Sequence, residues 1–256
     1  MQQRPSPPGD KYASPALEKG LDVLELLANE ATPLAQSQIA AALGRSVGEI
    51  FRVLQTLERR GYIVRDADSA LYLLSTRMLD LAGRQPPLRA LVLRAAGPMS
   101  RLAEATAQSC NLAVLDGVQV RVIAQQESPS DFGFRVRVGA AFPADTTATG
   151  IVLLAFSRAD RRASILADLQ LGGTDADTLA RRIRSAQQDG FAQNTDARQP
   201  GILDLAFPVP DADGAAAAAL TVPYVATTYS AVDADAVIDA MRVAAAEIGP
   251  NASVVE

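Results

Sequence analysis

Residues 16–74 read ALEKGLDVLELLANEATPLAQSQIAAALGRSVGEIFRVLQTLERRGYIVRDADSALYLL, and this stretch decides the fold of the N-terminal part of the chain. Ser14 and Pro15 precede it as a helix start, with serine as the N-cap and proline at the first helical position. Leucines then recur every three or four residues, from Leu17 to Leu27, which is the pattern of one buried helix face. A first helix is therefore predicted up to a break at residues 29–32.

Two shorter helices and a hairpin follow in the same stretch. The helices are predicted at about 35–43 and 47–59, and the glycines that come next, Gly44 and Gly61, are typical of helix ends. Two apolar runs then flank the polar residues 66–69, which indicates a β-hairpin. Three short helices followed by a hairpin is the order of a winged helix-turn-helix, a DNA-binding arrangement.

The third helix would then be the recognition helix, with its N-terminal end pointing at base edges. The residues expected to contact DNA lie on this helix or just before it: Arg45, Ser46, Gly48, Glu49, Arg52, Gln55 and Thr56. An ordinary three-helix subdomain whose polar residues are only solvated is the alternative. Glu49 can accept from a cytosine amino group or only cap the helix. Arg52 can contact DNA or pair with Glu49 or Glu58.

The charge of the chain requires any DNA-binding surface to be local. The net charge is −5 at pH 7, but residues 1–85 hold ten basic and ten acidic residues, so the excess comes from the 14 basic and 19 acidic residues that follow. Of the 24 basic residues, 22 are arginine. Arginine suits bidentate contacts with phosphate or guanine, although this bias fits a GC-rich genome equally well.

Several classes of chemistry are excluded by composition. The chain has no histidine, which removes the commonest general base, the Ser-His and Cys-His pairs and most transition-metal sites. Its only lysines are Lys11 and Lys19, so a Ser-Lys pair in the C-terminal part is excluded as well. We therefore expect no enzyme, no cofactor and no metal. The single cysteine, Cys110, is expected to be a small buried residue and not a redox sensor.

No apolar run approaches the roughly 18–20 residues of a membrane span. Residues 1–13 are polar and proline-rich, lack the apolar stretch of a signal peptide and are expected to be disordered. A soluble, cytoplasmic protein without a membrane partner is expected.

The C-terminal part is predicted to be an α+β domain that begins after a boundary at residues 85–87. A long helix is expected at 88–107, interrupted at Gly97-Pro98. The remaining elements are antiparallel strands and helices. Strands are expected at 111–115, 118–125, 134–138, 202–209 and 215–224, and helices at 75–84, 149–156, 161–169, 175–188 and 233–248.

In order along residues 14–250, the chain resembles the IclR family of bacterial transcriptional regulators. The N-terminal segments that carry the resemblance are Leu54–Glu58, Arg59–Tyr62 and the pair Tyr72 and Leu74. The C-terminal segments are Gly139, Pro143, Thr149-Gly150, Asp189–Phe191, Gly201, Leu205–Val209 and Ala219–Val222.

This resemblance implies a ligand-responsive repressor or activator, with repression of catabolic genes expected. It implies four segments: a disordered tail (1–13), a winged helix-turn-helix domain (14–75), a linker helix (76–87) and a GAF/PAS-like α+β effector-binding domain (88–256). The implied partners are promoter DNA, a small organic effector of carboxylate or aromatic type, and further copies of the chain in a homodimer or dimer of dimers. A sensor or scaffold that has lost specific DNA binding is the alternative.

The resemblance also implies which residues contact the effector. Carried over position by position they are Ala148, Thr149, Asn194, Ile202, Asp204, Thr221 and Pro223, and we add Tyr224 as a residue that can stack on an aromatic ligand. Relatives that bind small keto acids have an acidic residue at position 194, cysteine at 204 and serine at 221 and 223, so a different effector is expected here.

Asp204 is the most informative of these residues because it lies between Leu203 and Leu205 in an apolar strand. If it faces a cavity, it favours a hydroxyl, amine or cationic group on the ligand. An outward aspartate on an edge strand is the alternative. Arg135 and Arg137 share one face of their predicted strand, where they can bind a ligand carboxylate, pair across a dimer interface or be solvated.

Overall fold

The computed structural model describes residues 14–131, 133–195, 201–226 and 232–250, so the expected disordered tail lies outside the described residues. Its helices are α1 (Pro15–Asn29), α2 (Gln36–Ala42), α3 (Val47–Arg59), α4 (Arg77–Arg84), α5 (Pro86–Thr106), α6 (Ala148–Phe156), α7 (Ala159–Leu169), α8 (Gly173–Asp189) and α9 (Ala234–Ile248). Its strands are β1 (Ile63–Arg65), β2 (Tyr72–Leu74), β3 (Cys110–Asp116), β4 (Gln119–Gln126), β5 (Ala141–Pro143), β6 (Ala192–Thr195), β7 (Ile202–Pro210) and β8 (Ala216–Val225). The chain divides into two compact units between Gln85 and Pro86.

The N-terminal unit contains the three predicted helices and the predicted hairpin, β1–β2. Its core joins α1, α2, α3 and the hairpin through residues such as Val23, Ile39, Leu54 and Tyr72. The helices end where the glycines predict, because Gly44 and Gly61 take positive φ angles of 63° and 74°, which side chains with a Cβ rarely adopt.

The predicted buried face of α1 is only partly right. Leu27 is buried, but the residue that fills the centre of the core is Val23, while Leu17 and Leu21 are 61% and 50% exposed. The leucine spacing found the helix but not its inner side, because the leucines extend around more than one face of it.

The N-terminus of α3 is fixed by three side chains. The Ser46 hydroxyl accepts a hydrogen bond from the Glu49 backbone N–H (3.3 Å), and the Glu49 carboxylate accepts one from the Ser46 N–H (3.1 Å), which is a capping box. The same carboxylate accepts from Lys19 Nζ on α1 at 2.7 Å. The hydrogen bond from Lys19, followed by those from Ser46, lowers the pKa of Glu49 from 4.5 to about 2.

The C-terminal unit is built on a six-stranded antiparallel sheet with the order β5-β4-β3-β8-β7-β6. One face of the sheet packs against α5 and α9 in a core that includes Leu205 and Met241. The other face packs against α6, α7 and α8 in a second core that includes Ile151 and Ala206. Strands and helices come in separate runs along the chain and the sheet is antiparallel, as expected for an α+β domain.

Two sequence predictions for this unit are wrong. Residues 134–138 do not form a strand, and the short strand β5 pairs with β4 instead. The predicted break at Gly97-Pro98 is also absent, since α5 continues through Pro98. Proline removes one hydrogen bond from the helix, but Pro98 is buried together with Ala95 and Met99, and this packing outweighs the loss.

A close backbone approach holds α6 beneath the loop that precedes it. A Cβ atom on Gly150 would overlap the backbone of Ala144, so only glycine fits here. The Thr147 hydroxyl caps α6 by accepting from the Gly150 N–H (3.1 Å) and donates to the Pro143 carbonyl (2.9 Å). The turn from β5 into α6 is therefore compact and tolerates no added atom at position 150.

We predict that Gly150→Ala destabilises the C-terminal unit by about 3 kcal/mol or more, because the backbone of Ala144 has to move. Urea unfolding monitored by circular dichroism measures the change. Gly97→Ala is the matched control: its Cβ meets only the end of the flexible Arg101 side chain, at 3.4 Å, and alanine favours a helix by roughly 0.5–1 kcal/mol. Equal unfolding midpoints for the two variants would contradict the prediction.

We also predict that Glu49→Gln lowers the melting temperature of the N-terminal unit at pH 7. Because folding lowers the pKa of Glu49 from 4.5 to about 2, its contribution to stability is complete above pH 4.5 and is lost as the pH falls towards 2. The melting difference between wild type and variant should therefore shrink over that range. Glu58→Gln, an exposed glutamate on the same helix that makes no ion pair within the described residues, serves as the control. A difference that is independent of pH would rule out this role of Glu49.

Candidate functional site

Four of the residues predicted to contact DNA are exposed on α3 or just before it. Arg45, Gly48, Arg52 and Gln55 are exposed. Arg52 makes no ion pair in the part of the chain that the structure describes, so the predicted alternative of a salt bridge to Glu49 or Glu58 is not observed. These four residues are available to a ligand outside the unit.

Three other residues expected on this surface are engaged within the unit. Ser46 and Glu49 hold each other in the capping box, and Glu49 also binds Lys19. Thr56 donates its hydroxyl hydrogen to the carbonyl of Arg52, one helical turn back (2.9 Å). The carboxylate of Glu49 therefore supports α3, and a contact from Glu49 to a base would have to compete with that of Lys19.

Two apolar residues of α3 that were not predicted as contacts are also exposed. Val47 is 50% exposed and Phe51 is 45% exposed, and neither belongs to the core of the unit. The signal that could have found them is the helical repeat, because positions 47, 48, 51, 52 and 55 lie on one side of a helix.

The charges around α3 are mostly positive, except at the hairpin. Arg45 just before the helix and Arg52 and Arg59 on it are exposed, and they outnumber Glu58, which is exposed on the same helix. The turn of the hairpin carries Asp66 and Asp68, and hydrogen bonds from Ser69 lower the pKa of Asp66. Positive potential therefore concentrates on the exposed side of α3, where a polyanion can bind, and not on the hairpin turn.

The C-terminal unit contains a cavity of about 310 Å³ on the α6 side of the sheet. Side chains from β3, β4, β7 and β8 form its floor, and the segment between β4 and β5 covers it. The lining residues are Asn111, Ala113, Val120, Val122, Phe134, Arg135, Val136, Arg137, Ala140, Phe142, Thr147, Thr149, Ile202, Asp204, Thr221 and Pro223.

Polar groups line the floor of this cavity near the N-terminal end of α6. The hydroxyls of Thr149 and Thr221 hydrogen-bond to each other at 2.9 Å and join α6 to β8. Asn111, which is buried, lies directly opposite Thr221 on the neighbouring strand. Asp204 lies opposite Pro223, so its carboxylate faces the same side of the sheet. The cavity thus combines hydroxyl, amide and carboxylate groups with an apolar surround.

Two arginines and a phenylalanine lie on the covering segment. Phe134, Arg135 and Arg137 all line the cavity although the segment is not a strand. Arg135 also forms an exposed ion pair with Glu127 (3.1 Å). Because both arginines are exposed, they place positive charge at the mouth of the cavity, opposite the polar floor.

The structure brings five of the eight predicted effector contacts to the cavity. These are Thr149, Ile202, Asp204, Thr221 and Pro223. Asp204 is therefore not an outward residue. Sequence reasoning missed Asn111 and Phe142, because nothing in the spacing of β3 and β5 marks the side that faces the cavity.

Three predicted contacts do not line the cavity. Ala148 is fully buried in the core below it. Asn194 faces the same side as Asp204, but its amide donates to the Thr146 carbonyl (3.3 Å) and helps to hold the loop before α6. Tyr224 packs against the α5–α9 core on the opposite side of the sheet, and its hydroxyl donates to the Val232 carbonyl (3.3 Å).

Cys110 is buried, as expected, and burial raises the pKa of its thiol to about 12. Within the described residues, no three acidic, cysteine or histidine side chains gather in a way that can hold a metal ion. No helix among them is long and apolar enough to cross a membrane.

Comparison with known proteins gives two matches to family models. Residues 89–249 match the model of the bacterial transcriptional regulator IclR C-terminal domain, and residues 16–67 match the IclR helix-turn-helix domain. The first match alone spans more than half of the chain. Both families consist of transcriptional regulators, not enzymes.

Curated relatives and solved structures agree with these matches. The chain is 25% identical to the HTH-type transcriptional regulator XynR of Escherichia coli, over 80% of this chain and 84% of the relative. It is 29% identical to the p-hydroxybenzoate hydroxylase transcriptional activator of Acinetobacter baylyi, over 80% and 79%. An IclR homolog from Microbacterium hydrocarbonoxydans, solved with 4-hydroxybenzoate, has the same fold, with a TM-score of 0.75 at 22% identity over 91% and 97% of the two chains. The chain therefore belongs to the IclR family of bacterial transcriptional regulators, with a helix-turn-helix domain followed by an IclR effector domain.

Proposed function

We propose that this regulator binds promoter DNA through the exposed side of α3. Its affinity for that DNA changes when a small organic molecule fills the cavity of the C-terminal unit. The observation that carries the proposal is the presence, in one chain, of a helix-turn-helix surface with exposed arginines and a partly open cavity that combines polar groups with an apolar lining. An effector can act only if it binds two states of the regulator with different affinity.

We infer repression of catabolic genes in the cytoplasm as the biological outcome. Repression needs only that the regulator occupies the promoter, whereas activation also needs a surface that recruits the polymerase. One relative is named as an activator. A reporter gene under the chain's own promoter distinguishes repression from activation, and under repression deletion of the regulator should raise its expression.

The cavity favours a small effector with an aromatic ring or a carboxylate and a hydrogen-bond donor. Its volume of about 310 Å³ lies at the lower end of the range for ligand pockets. Phe134 and Phe142 offer apolar faces, and Arg135 and Arg137 suit a carboxylate. Asp204 suits a hydroxyl or amine. The 4-hydroxybenzoate found with the IclR homolog from Microbacterium hydrocarbonoxydans combines a ring, a carboxylate and a hydroxyl in this way.

Exposed leucines support a homodimer, or a dimer of dimers, as the working form. Helix α4 buries none of its residues, and Leu79 on it is 75% exposed. Leu17 and Leu21 form a further apolar strip on α1. Apolar side chains in such number on one small unit are typical of a surface that a second copy covers.

We predict that Arg52→Ala weakens binding to the gene's own upstream DNA by at least about tenfold, because it removes a charged group at the centre of the exposed side of α3. Fluorescence anisotropy over a series of salt concentrations measures the affinity. Ligand binding by the C-terminal unit should be unchanged.

Arg184→Ala is the matched control for this experiment, since it removes the same charge from an exposed position on α8 of the C-terminal unit and should have little effect. Equal affinities of Arg52→Ala and wild type would contradict the role of α3. A wild-type protein whose affinity for this DNA does not fall with salt would favour the alternative, a sensor or scaffold that has lost specific DNA binding.

We also predict that Asp204 selects the effector. In a thermal-shift screen of small aliphatic and aromatic acids, alcohols and amines, the wild type should show a saturable stabilisation by compounds that carry a hydroxyl or amine. Asp204→Leu should abolish it, because the donor then loses its acceptor in a partly dehydrated site.

Asp168→Leu, which changes an exposed aspartate on α7, is the control and should keep the full shift. Asp204→Asn separates the two donors, since an amide can still accept from a hydroxyl but no longer attracts an ammonium group. A shift that survives Asp204→Leu would remove Asp204 from the effector contacts.

A further inference from the structure

Phe51 and Val47 form an exposed apolar pair on α3. They are one helical turn apart, so their side chains are neighbours on the helix surface. The inner side of the same helix is already filled by Ile50, Leu54 and their neighbours, and neither Phe51 nor Val47 contributes to that core. The pair is therefore not needed to bury α3 within its own unit.

The pair lies on the same side of α3 as the residues that face outward. Positions 47, 48, 51, 52 and 55 recur at spacings of one, three and four, which places them on one side of a helix. Glu49 points away from this side and towards α1, where it binds Lys19. The outward side of α3 thus combines apolar and cationic groups, Phe51 next to Arg52.

Gly48 makes close approach to this side possible. Its position between Val47 and Phe51 carries no side chain, and nothing lies within 4 Å of a Cβ atom built there. A surface that docks against α3 can therefore reach the helix backbone beside Phe51, on the side of Arg52 and Gln55. The exposed arginines, Arg45, Arg52 and Arg59, outnumber the exposed Glu58 and therefore favour a negatively charged surface.

The major groove of DNA has these properties, and it offers one apolar group. Each thymine presents a C5-methyl group there, and phenylalanine is among the side chains that contact it. A large apolar side chain in the groove gains little from any other base. An anionic surface with scattered methyl groups therefore matches a helix side that carries both arginines and a phenylalanine.

We propose that Phe51, assisted by Val47, reads the methyl group of a thymine in the major groove, so that each bound α3 requires a thymine at one position of its site. The inference rests on the proposed function, since it needs α3 to enter the groove. It assigns a specificity-determining residue to that site, in addition to the contacts expected from Arg52 and Gln55.

The test uses the full-length protein and duplexes selected by binding from a random-sequence pool. Each thymine of the selected site is replaced in turn by deoxyuridine, which removes only the methyl group. At one position per bound α3, the replacement should lower the affinity of the wild type about fourfold, the value for one buried methyl group. Replacement at the other positions should have less effect.

Phe51→Ala should bind the thymine site more weakly than wild type and lose the sensitivity to deoxyuridine at that position. Val64→Ala is the matched control, because Val64 is 47% exposed in the same unit but lies on β1. It should retain the sensitivity, even if its overall affinity changes. Thermal melting and light scattering verify that both variants fold and keep the oligomeric state of the wild type.

Each outcome is decisive. A wild type that selects a site but tolerates deoxyuridine everywhere overturns the inference and leaves the proposed function intact, as does a Phe51→Ala variant with undiminished sensitivity. Dissociation of Phe51→Ala into smaller species assigns the side chain to contacts between copies and also overturns it. A wild type that selects no duplex overturns the proposed function together with the inference.

Discussion

The register of β7 against β8 is the constraint on which the C-terminal unit depends. These strands lie inside the sheet, and successive residues of each alternate between its two covered faces. Leu203 and Leu205 enter the α5–α9 core, so Asp204 must face the other side, where the cavity lies. A shift of one residue would exchange the two sets and bury the carboxylate among leucines. The hydrophobic packing of one face thus places the polar groups of the other.

The N-terminal unit separates support from recognition in a different way, around a single helix. One side of α3 is bound to α1 through the ion pair of Glu49 with Lys19. A second side packs in the core of the unit through Ile50 and Leu54. The side that remains carries Arg52 and Phe51 with no task in the fold. Glu49, which the sequence offered either as a contact to cytosine or as a helix cap, thus caps α3 and pairs with Lys19, and its charge is compensated within the unit.

Much of this architecture follows from local signals. The ends of α2 and α3 were predicted because glycines that take positive φ follow them, and the hairpins because apolar runs flank polar turns. The short strands β5 and β6 were missed, since three or four residues are too few to show a period and their pairing depends on the neighbouring strands. The break predicted at Pro98 is wrong for the same reason, because the packing that keeps α5 continuous comes from residues far along the chain.

The candidate site was predicted less completely, for a geometric reason. Successive residues of a strand point to opposite faces of the sheet. Thr221 and Pro223 on β8 therefore face one side and Tyr224 faces the other, so the three cannot line one cavity. Asn111 and Phe142 could not be found, because they reach the cavity from strands whose pairing is set by the fold. The outward side of α3 is easier to predict, because the helical repeat alone groups Phe51 with Arg52.

Different residues hold α3 in the fold and face outward from it, and this separation affects how the sequence of such a regulator can diverge. Substitutions at Gly48, Arg52 or Gln55 change the outward side without touching the brace or the core. The residues that hold the helix in place, Lys19, Ser46 and Glu49, contribute nothing that a new operator would have to replace. Under the proposed function, a duplicated copy of this gene can therefore change its target sequence through substitutions on the outward side of α3 that leave the contacts of Lys19, Ser46 and Glu49 in place.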